Sequence, residues 1–479
     1  MLIGIDVGTT AGKAALFDLK GNAVRTYSQR YPTKRPMPGH AEQDPADWMR
    51  LVLAALSELT GCVPAGSIQA IGLCSQVNTH VFVDENGRAL LPAFTWQDGR
   101  CAEEAVHLDA LVSTEDKLSW WGAPLPIDAS HVLSRMAFVK RHHTDAWDKT
   151  RWVLAPKDYC LLHLTGEVVT DPMTAFGLID GNLAFVPKLI GLMDGASRRL
   201  PPLAPLTKVI GRIRDGLPCA GLPVVTGAMD AWSGLLGAGV CDNGQGLYLS
   251  GTSEILGIVS AKKAPVPGVI AFPKCEGITL HAGPTQSGGA SIEWLSKLIG
   301  KTAGEISHLA ASADTTMPLP TFLPHLEGER APLWDINARG SLSGLSSAMG
   351  APEIARATLE GVAYSARLVI ESLEASACVK PKEFNHSGGG AASNIWCQIR
   401  ADILGRPIKR MKSLDAGVLG AALMAGTGIK AFGSLHEAVK NFVVVDRVFV
   451  PDKTEQERHV RGFEKYKLLY RQLQPWNVR

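Results

Sequence analysis

The chain has 479 residues, 46% of them apolar and 20% charged, with a formal net charge of +2. That length exceeds one ordinary core and predicts two domains. The near-neutral balance argues against nucleic acid or membrane as a partner, and no stretch approaches the ~20 apolar residues of a membrane span.

Nine scattered cysteines without a Cys-x-x-Cys pair predict free thiols in a reducing compartment. The opening Met-Leu-Ile-Gly-Ile-Asp lacks the cationic region and cleavage site of a signal peptide, so a cytoplasmic location is expected.

In chain order, residues 2–6 read as a strand, Val7-Gly8-Thr9-Thr10 as a turn, 13–17 as a returning strand and 23–28 as a third. This is an antiparallel meander. Asp44 and Pro45 are an N-cap and a first helical residue for a helix running to about 60. Residues 68–74 and 79–84 read as strands, which makes the domain α/β. The strand-like run 223–229 leads to Asp230 and a small apolar helix, with the domain junction between about 230 and 246. The second half repeats the opening: a strand at 247–249, the turn Ser250-Gly251-Thr252-Ser253 and a strand at 254–260. Residues 351–375 form the clearest helix, with Ala355, Leu359, Val362, Ala366, Val369 and Leu373 on one face. Helices at 393–404, stopped by Gly405, and at 415–425 follow.

Four features are suited to chemistry. In Asp6-Val7-Gly8-Thr9-Thr10-Ala11-Gly12-Lys13, glycine and turn N–H groups admit a phosphate, threonine hydroxyls add donors and Lys13 adds charge. Asp6, at a strand end, is suited to hydrated Mg²⁺. The Gly251-Thr252-Ser253 loop repeats the pattern. Alone, either loop reads first as a plain hairpin turn, and the first lacks Walker spacing. Ser387-Gly388-Gly389-Gly390-Ala391-Ala392-Ser393-Asn394 leaves bare backbone before a helix, where a purine can lie. Asp230 is placed either to take a proton from a hydroxyl attacking phosphorus or to cap its helix. Trp96-Gln97-Asp98-Gly99-Arg100, with Gln76 and Asn78, suits a hydroxyl-rich ligand. His40, His80, His325 and His386 have no metal-ligand spacing.

Taken in order over the whole chain, these motifs resemble the FGGY carbohydrate kinases, xylulokinase-like branch. Ile3 to Thr10 is similar to the family's first phosphate motif, and Gly251-Thr252-Ser253 to its second. Trp96-Gln97-Asp98-Gly99-Arg100 is similar to its substrate loop. Leu326 to Pro332, Asn337 to Gly340 and Gly344-Leu345 resemble its C-terminal signature, and Gly388-Gly389-Gly390-Ala391 its adenosine motif.

The resemblance implies an α/β fold of two actin-like (ribonuclease-H-like) domains around a central cleft. A sugar-binding domain would span 1–235 and an ATP-binding domain 236–479, with the last helix packed on the first. It implies Asp230 as base, Asp6 as Mg²⁺ ligand, and Gln76, Val77, Asn78, Trp96, Asp98 and Asp230 around the sugar. Gly8, Thr9, Thr10, Lys13, Gly251, Thr252, Gly388, Gly389, Gly390 and Asn394 would hold ATP. A ketopentose such as D-xylulose is the expected acceptor, with a polyol or an aldonate as alternative, and a homodimer the suggested assembly. Ser75-Gln76-Val77-Asn78 departs from the branch's Gly-Gln-Met-His, and Asp415 stands where glutamate is frequent. The competing class is an actin- or chaperone-like ATPase. A nicotinamide enzyme ranks below it, because no Gly-x-Gly-x-x-Gly follows the first strand.

Overall fold

Alternating apolar residues and turn glycines at the start of the chain give the expected meander: β1 (Leu2–Val7), β2 (Ala11–Phe17) and β3 (Ala23–Arg30). The computed structural model describes residues 1–64 and 66–477. Two units emerge. One comprises Met1–Gly239, Pro273–Gly277 and Asp415–Val443; the other comprises Val240–Phe272, Ile278–Leu414 and Val444–Arg479.

In the first unit the sheet continues with β4 (Ala70–Ser75), β5 (Val209–Arg212), β6 (Pro223–Val225) and β7 (Ala228–Met229). The order is β3-β2-β1-β4-β6-β5, and β7 also pairs with β4. β1 runs antiparallel to β2 and parallel to β4. The single strand expected over 223–229 is two short ones. Gly227 (φ 71°) breaks it, and a β-carbon there would meet the Leu73 carbonyl oxygen at 1.8 Å. The helix Pro45–Thr60 starts as expected, with the Asp44 carboxylate accepting from the Ala46 N–H at 3.0 Å. Its stripe of Trp48, Leu51, Val52, Ala55, Leu56 and Leu59 is fully buried with Ile3, Ile5 and Leu73 in one core.

The helix Ala416–Gly428 returns to this first sheet and lies against it at backbone distance. A β-carbon at Gly4 would sit 1.9 Å from the Val418 carbonyl oxygen, and one at Gly72 2.0 Å from that of Ala421. Gly4→Ala therefore forces the helix off the sheet. Overpacking of this kind costs about 1–3 kcal/mol or more, and we expect a Tm lower by roughly 5–10 °C in a thermal melt.

The second unit repeats the plan with β8 (Gly246–Ser250), β9 (Glu254–Val259), β10 (Ile270–Ala271), β11 (Leu280–Pro284), β12 (Phe384–Ser387), β13 (Ile408–Met411) and β14 (Val445–Phe449). Their order is β10-β11-β9-β8-β12-β13-β14. β8, β9 and β11 are antiparallel, and β12 runs parallel to β8. A three-strand meander followed by parallel strands thus occurs twice. The helix Ala351–Ala377 buries the whole predicted face, Ala355 to Leu373.

The last helix, Lys453–Asn477, was expected on the first domain. It belongs to the second unit, where the Tyr466 hydroxyl pairs with His325 Nε2 at 3.0 Å and Tyr364 with His459 Nδ1 at 2.8 Å. Its own apolar face, Phe463, Tyr466 and Tyr470, is buried there with Leu323, Leu359 and Ile399. The segment that does return to the first unit is Asp415–Val443.

Candidate active site

In the first unit the register brings distant carboxylates to one sheet end. Asp6 on β1 is opposite Lys13 on β2 and Cys74 on β4, and Cys74 is in turn opposite Ala228 on β7. Asp230 follows directly, as the first residue of the helix Asp230–Gly237, with Met229 as the N-cap. The N-cap alternative for Asp230 is thereby corrected. Its Oδ1 accepts from the Ala231 N–H at 2.7 Å. The helix N-terminus favours negative charge at this position.

Burial and the neighbouring Asp230 push the Asp6 carboxyl up from 3.8 to about 7, opposed by Lys13. Its Oδ1 is buried and has no hydrogen-bond partner. Lys13 Nζ pairs with Asp415 Oδ1 at 2.6 Å, both half-exposed. Burial and Asp6 hold the Cys74 thiol well above its usual range, so it is un-ionised. An orphaned carboxylate oxygen beside a second carboxylate fits a divalent cation, which would make both charged forms favourable. A donor set of few carboxylates suits Mg²⁺, which keeps several waters of its own.

The loop after β1 is braced by amides. Gln76 Oε1 accepts from the Thr9 and Thr79 hydroxyls, both at 3.1 Å, while its Nε2 donates to Gln43 Oε1 at 2.8 Å and Gly8 O at 3.3 Å. Gln43 Nε2 donates to Thr9 O at 2.6 Å, and Trp96 Nε1 to the Thr9 hydroxyl at 2.8 Å. Gln76 and Asp98, expected at the sugar, are spent on the protein itself. Asp98 is buried, accepting from the Ala41 N–H at 2.6 Å and from Arg100 Nε at 2.8 Å. They position Thr9 and the 96–100 loop. Thr10 is exposed, whereas Gly8, Val77, Asn78 and Trp96 are half-buried. Asn78 adopts φ 52° and donates to the Ser130 hydroxyl at 3.2 Å; with His80 and Asp158 it lines a cavity of about 40 Å³.

In the second unit the two glycine loops emerge side by side from β8 and β12, at the carboxyl ends of parallel strands, where α/β sheets bind ligands. Gly388 (φ 96°) presses on Ser250, whose carbonyl oxygen would lie 2.3 Å from a β-carbon there. Gly389 is exposed with no atom within 4 Å of its β-carbon position, and so offers bare backbone. A 3₁₀ turn, Gly389–Ala392, precedes the helix Asn394–Leu404, capped by Ser393. Asn394 is exposed, and its Oδ1 accepts from Arg410 Nη1 at 2.7 Å. Gly251 and Thr252 are exposed, and their carbonyls accept from the Gly289 and Ala290 N–H groups, each at 2.9 Å.

Sequence reasoning missed what holds these loops. Arg400 is buried, donating to Glu254 Oε1 at 2.6 Å and to the Ser250 hydroxyl at 2.7 Å. Its signal was readable: Arg400 interrupts the apolar stripe of Trp396, Ile399 and Ile403. Glu329 was missed as well. It accepts from the Ser287 hydroxyl at 2.6 Å and from His325 Nδ1 at 2.9 Å, beneath the start of the helix Gly289–Ile299.

A pair of neighbouring carboxylates at a strand end in the first unit, and glycine loops at the ends of parallel strands in the second, are features that metal-assisted phosphate transfer uses. The N-terminal domain of the FGGY family of carbohydrate kinases matches residues 1–237 and the C-terminal domain matches 246–429. The chain belongs to this family and is a sugar kinase; the ATPase alternative falls away. It is similar to the xylulose kinase of Escherichia coli (strain K12), 29% identical over 99% of each chain. Among solved structures it is similar to the gluconate kinase of Lactobacillus acidophilus, with TM-score 0.87, 28% identity and coverage of 98% and 97%. The ligand-bound xylulose kinase of the same organism gives TM-score 0.87, 27% identity and 98% of each chain. The fold is accordingly the actin-like, ribonuclease-H-like one. No described helix is long and apolar enough to cross a membrane.

Proposed function

We propose that the chain transfers the γ-phosphate of ATP to a primary hydroxyl of a ketopentose, D-xylulose first among them. The observation that carries this reading is Asp230 beside the orphaned oxygen of Asp6. Asp230 takes the proton of the attacking hydroxyl. The sugar oxygen bonds to the γ-phosphorus as the bond to the β,γ-bridging oxygen breaks, and ADP leaves. Asp6, with Asp230 beside it, would hold Mg²⁺, which when bound neutralises phosphate charge. Thr9, Thr10 and Lys13 in the first unit, and Gly251 and Thr252 in the second, bind phosphate oxygens. Gly388, Gly389, Gly390 and Asn394 receive the adenosine. Orientation supplies the larger share of catalysis, roughly 7–11 kcal/mol, against about 10²–10⁴-fold for the base.

The likeness to a gluconate kinase favours an aldonate as the second reading. A coupled ADP-release screen over D-xylulose, a second ketopentose, glycerol, erythritol and D-gluconate decides between them. D-xylulose should give the highest kcat/KM. A tenfold preference for gluconate or glycerol would overturn the sugar assignment and leave the kinase chemistry standing.

A further inference from the structure

We propose that the first unit carries a second binding site, for a small phosphate ester, in the concave surface lined by Arg151, Arg198 and Arg199. This concavity measures about 830 Å³ and also includes Asp148, Trp152 and Pro201. It is within the size range of small-molecule sites. Two of its guanidinium groups are held in place. That of Arg151 lies 3.7 Å from the Trp152 ring centre and donates to Arg198 O at 2.7 Å. That of Arg199 lies 3.9 Å from the Trp147 ring centre and donates to Gly195 O and Trp147 O, each at 3.0 Å.

These bonds are all to backbone carbonyls. Among the described residues none of the three arginines forms an ion pair with a carboxylate. Of the other buried arginines, Arg400 pairs with Glu254 and Arg356 with Glu360, whereas Arg135 bonds, like Arg199, to backbone carbonyls. Arg199 is only 5% exposed, and its Nε is buried without a partner. Nitrogens of Arg198 and Arg199 lie 3.4 and 2.8 Å from the β-carbon position of Gly195, hence no more than about 6 Å apart. Burial and the Arg198 charge accordingly push the Arg199 guanidinium below its usual range. An anion between them offsets the repulsion of these neighbouring charges.

Arginine forks match phosphate oxygens two at a time, and stacking on tryptophan has already removed much of their freedom, so ordering costs little on binding. The apolar surface of Trp152 and Pro201 gives the rest of an ester something to lie on. Phe185, Leu200 and Pro201 also line the small cavity beside Asn78, so the two spaces share a wall. The phosphate ester is the product class of a sugar kinase, but the site stands or falls separately from the acceptor assignment.

Isothermal titration of the full chain at low salt, with D-ribose 5-phosphate and separately with inorganic phosphate, tests this. We expect saturable binding that weakens at least tenfold in Arg198→Ala, is weakened less in Arg198→Lys, and falls as salt rises. Arg198 is exposed, so its removal leaves folding and basal kinase turnover unchanged. Tighter binding of the ester means the site reads the sugar as well; equal binding means it reads phosphate alone. Absence of saturable binding up to about 10 mM, or equal affinity in wild type and an Arg151→Ala, Arg198→Ala double variant, overturns the proposal.

Discussion

Asp230→Asn is expected to fold, melt at a temperature close to that of wild type and bind ATP, yet lose at least about 10²-fold in kcat for sugar phosphorylation. The substitution keeps the shape and the bond from the Ala231 N–H to Oδ1, and removes only the capacity to take a proton. KM for both substrates should move by less than about threefold, since an interaction made only in the transition state is lost. Steady-state kinetics on the purified variant, with circular dichroism as the folding control, checks this. Turnover within a few-fold of wild type would remove Asp230 from the base role.

For Asp6→Asn the expected effect is divided between function and stability. The metal-free wild type carries a carboxyl raised from 3.8 to about 7 by burial and by Asp230. The folded state holds that proton more tightly than the unfolded state does. The penalty is therefore nil below pH ~4, grows between about 4 and 7 and is complete above, where the gap is worth roughly 4 kcal/mol. Asp6→Asn abolishes the penalty. In EDTA at pH 8 its Tm should exceed that of wild type, and at pH 4 the two should converge. Mg²⁺ should raise the wild-type Tm and leave that of the variant unchanged, while kcat falls at least about 10²-fold. A variant that melts below wild type at pH 8 would contradict the burial argument.

What is legible in the sequence is what local chemistry decides. Asp44 and Pro45 start a helix because a cap and a fixed φ act over a few residues. The glycine loops at 8–10 and 251–253 are legible because a turn between strands demands small residues. The meeting of Asp6 with Asp230 is not, because it depends on β1, β4 and β7 lying in one sheet in one register. Gln76 and Asp98 mark another limit. Amides and carboxylates near a binding loop look the same in sequence whether they face a ligand or brace the loop, and only burial with both ends engaged tells them apart. The return of Asp415–Val443 to the first unit is hidden for a related reason: its small residues advertise close packing without naming the partner.

That return has a consequence for how the protein is made. Gly4 and Gly72 open one face of the first sheet to a helix that is translated only after most of the second unit. At about 5–20 residues per second, the interval between the synthesis of Gly239 and of Val443 is roughly 10–40 s. Throughout it, the nascent first unit has an uncovered apolar face and cannot reach its final state on the ribosome. The gap is an opportunity for chaperones. It also means that a fragment ending near residue 239 lacks part of its own core, so separate expression of the two halves should yield aggregates.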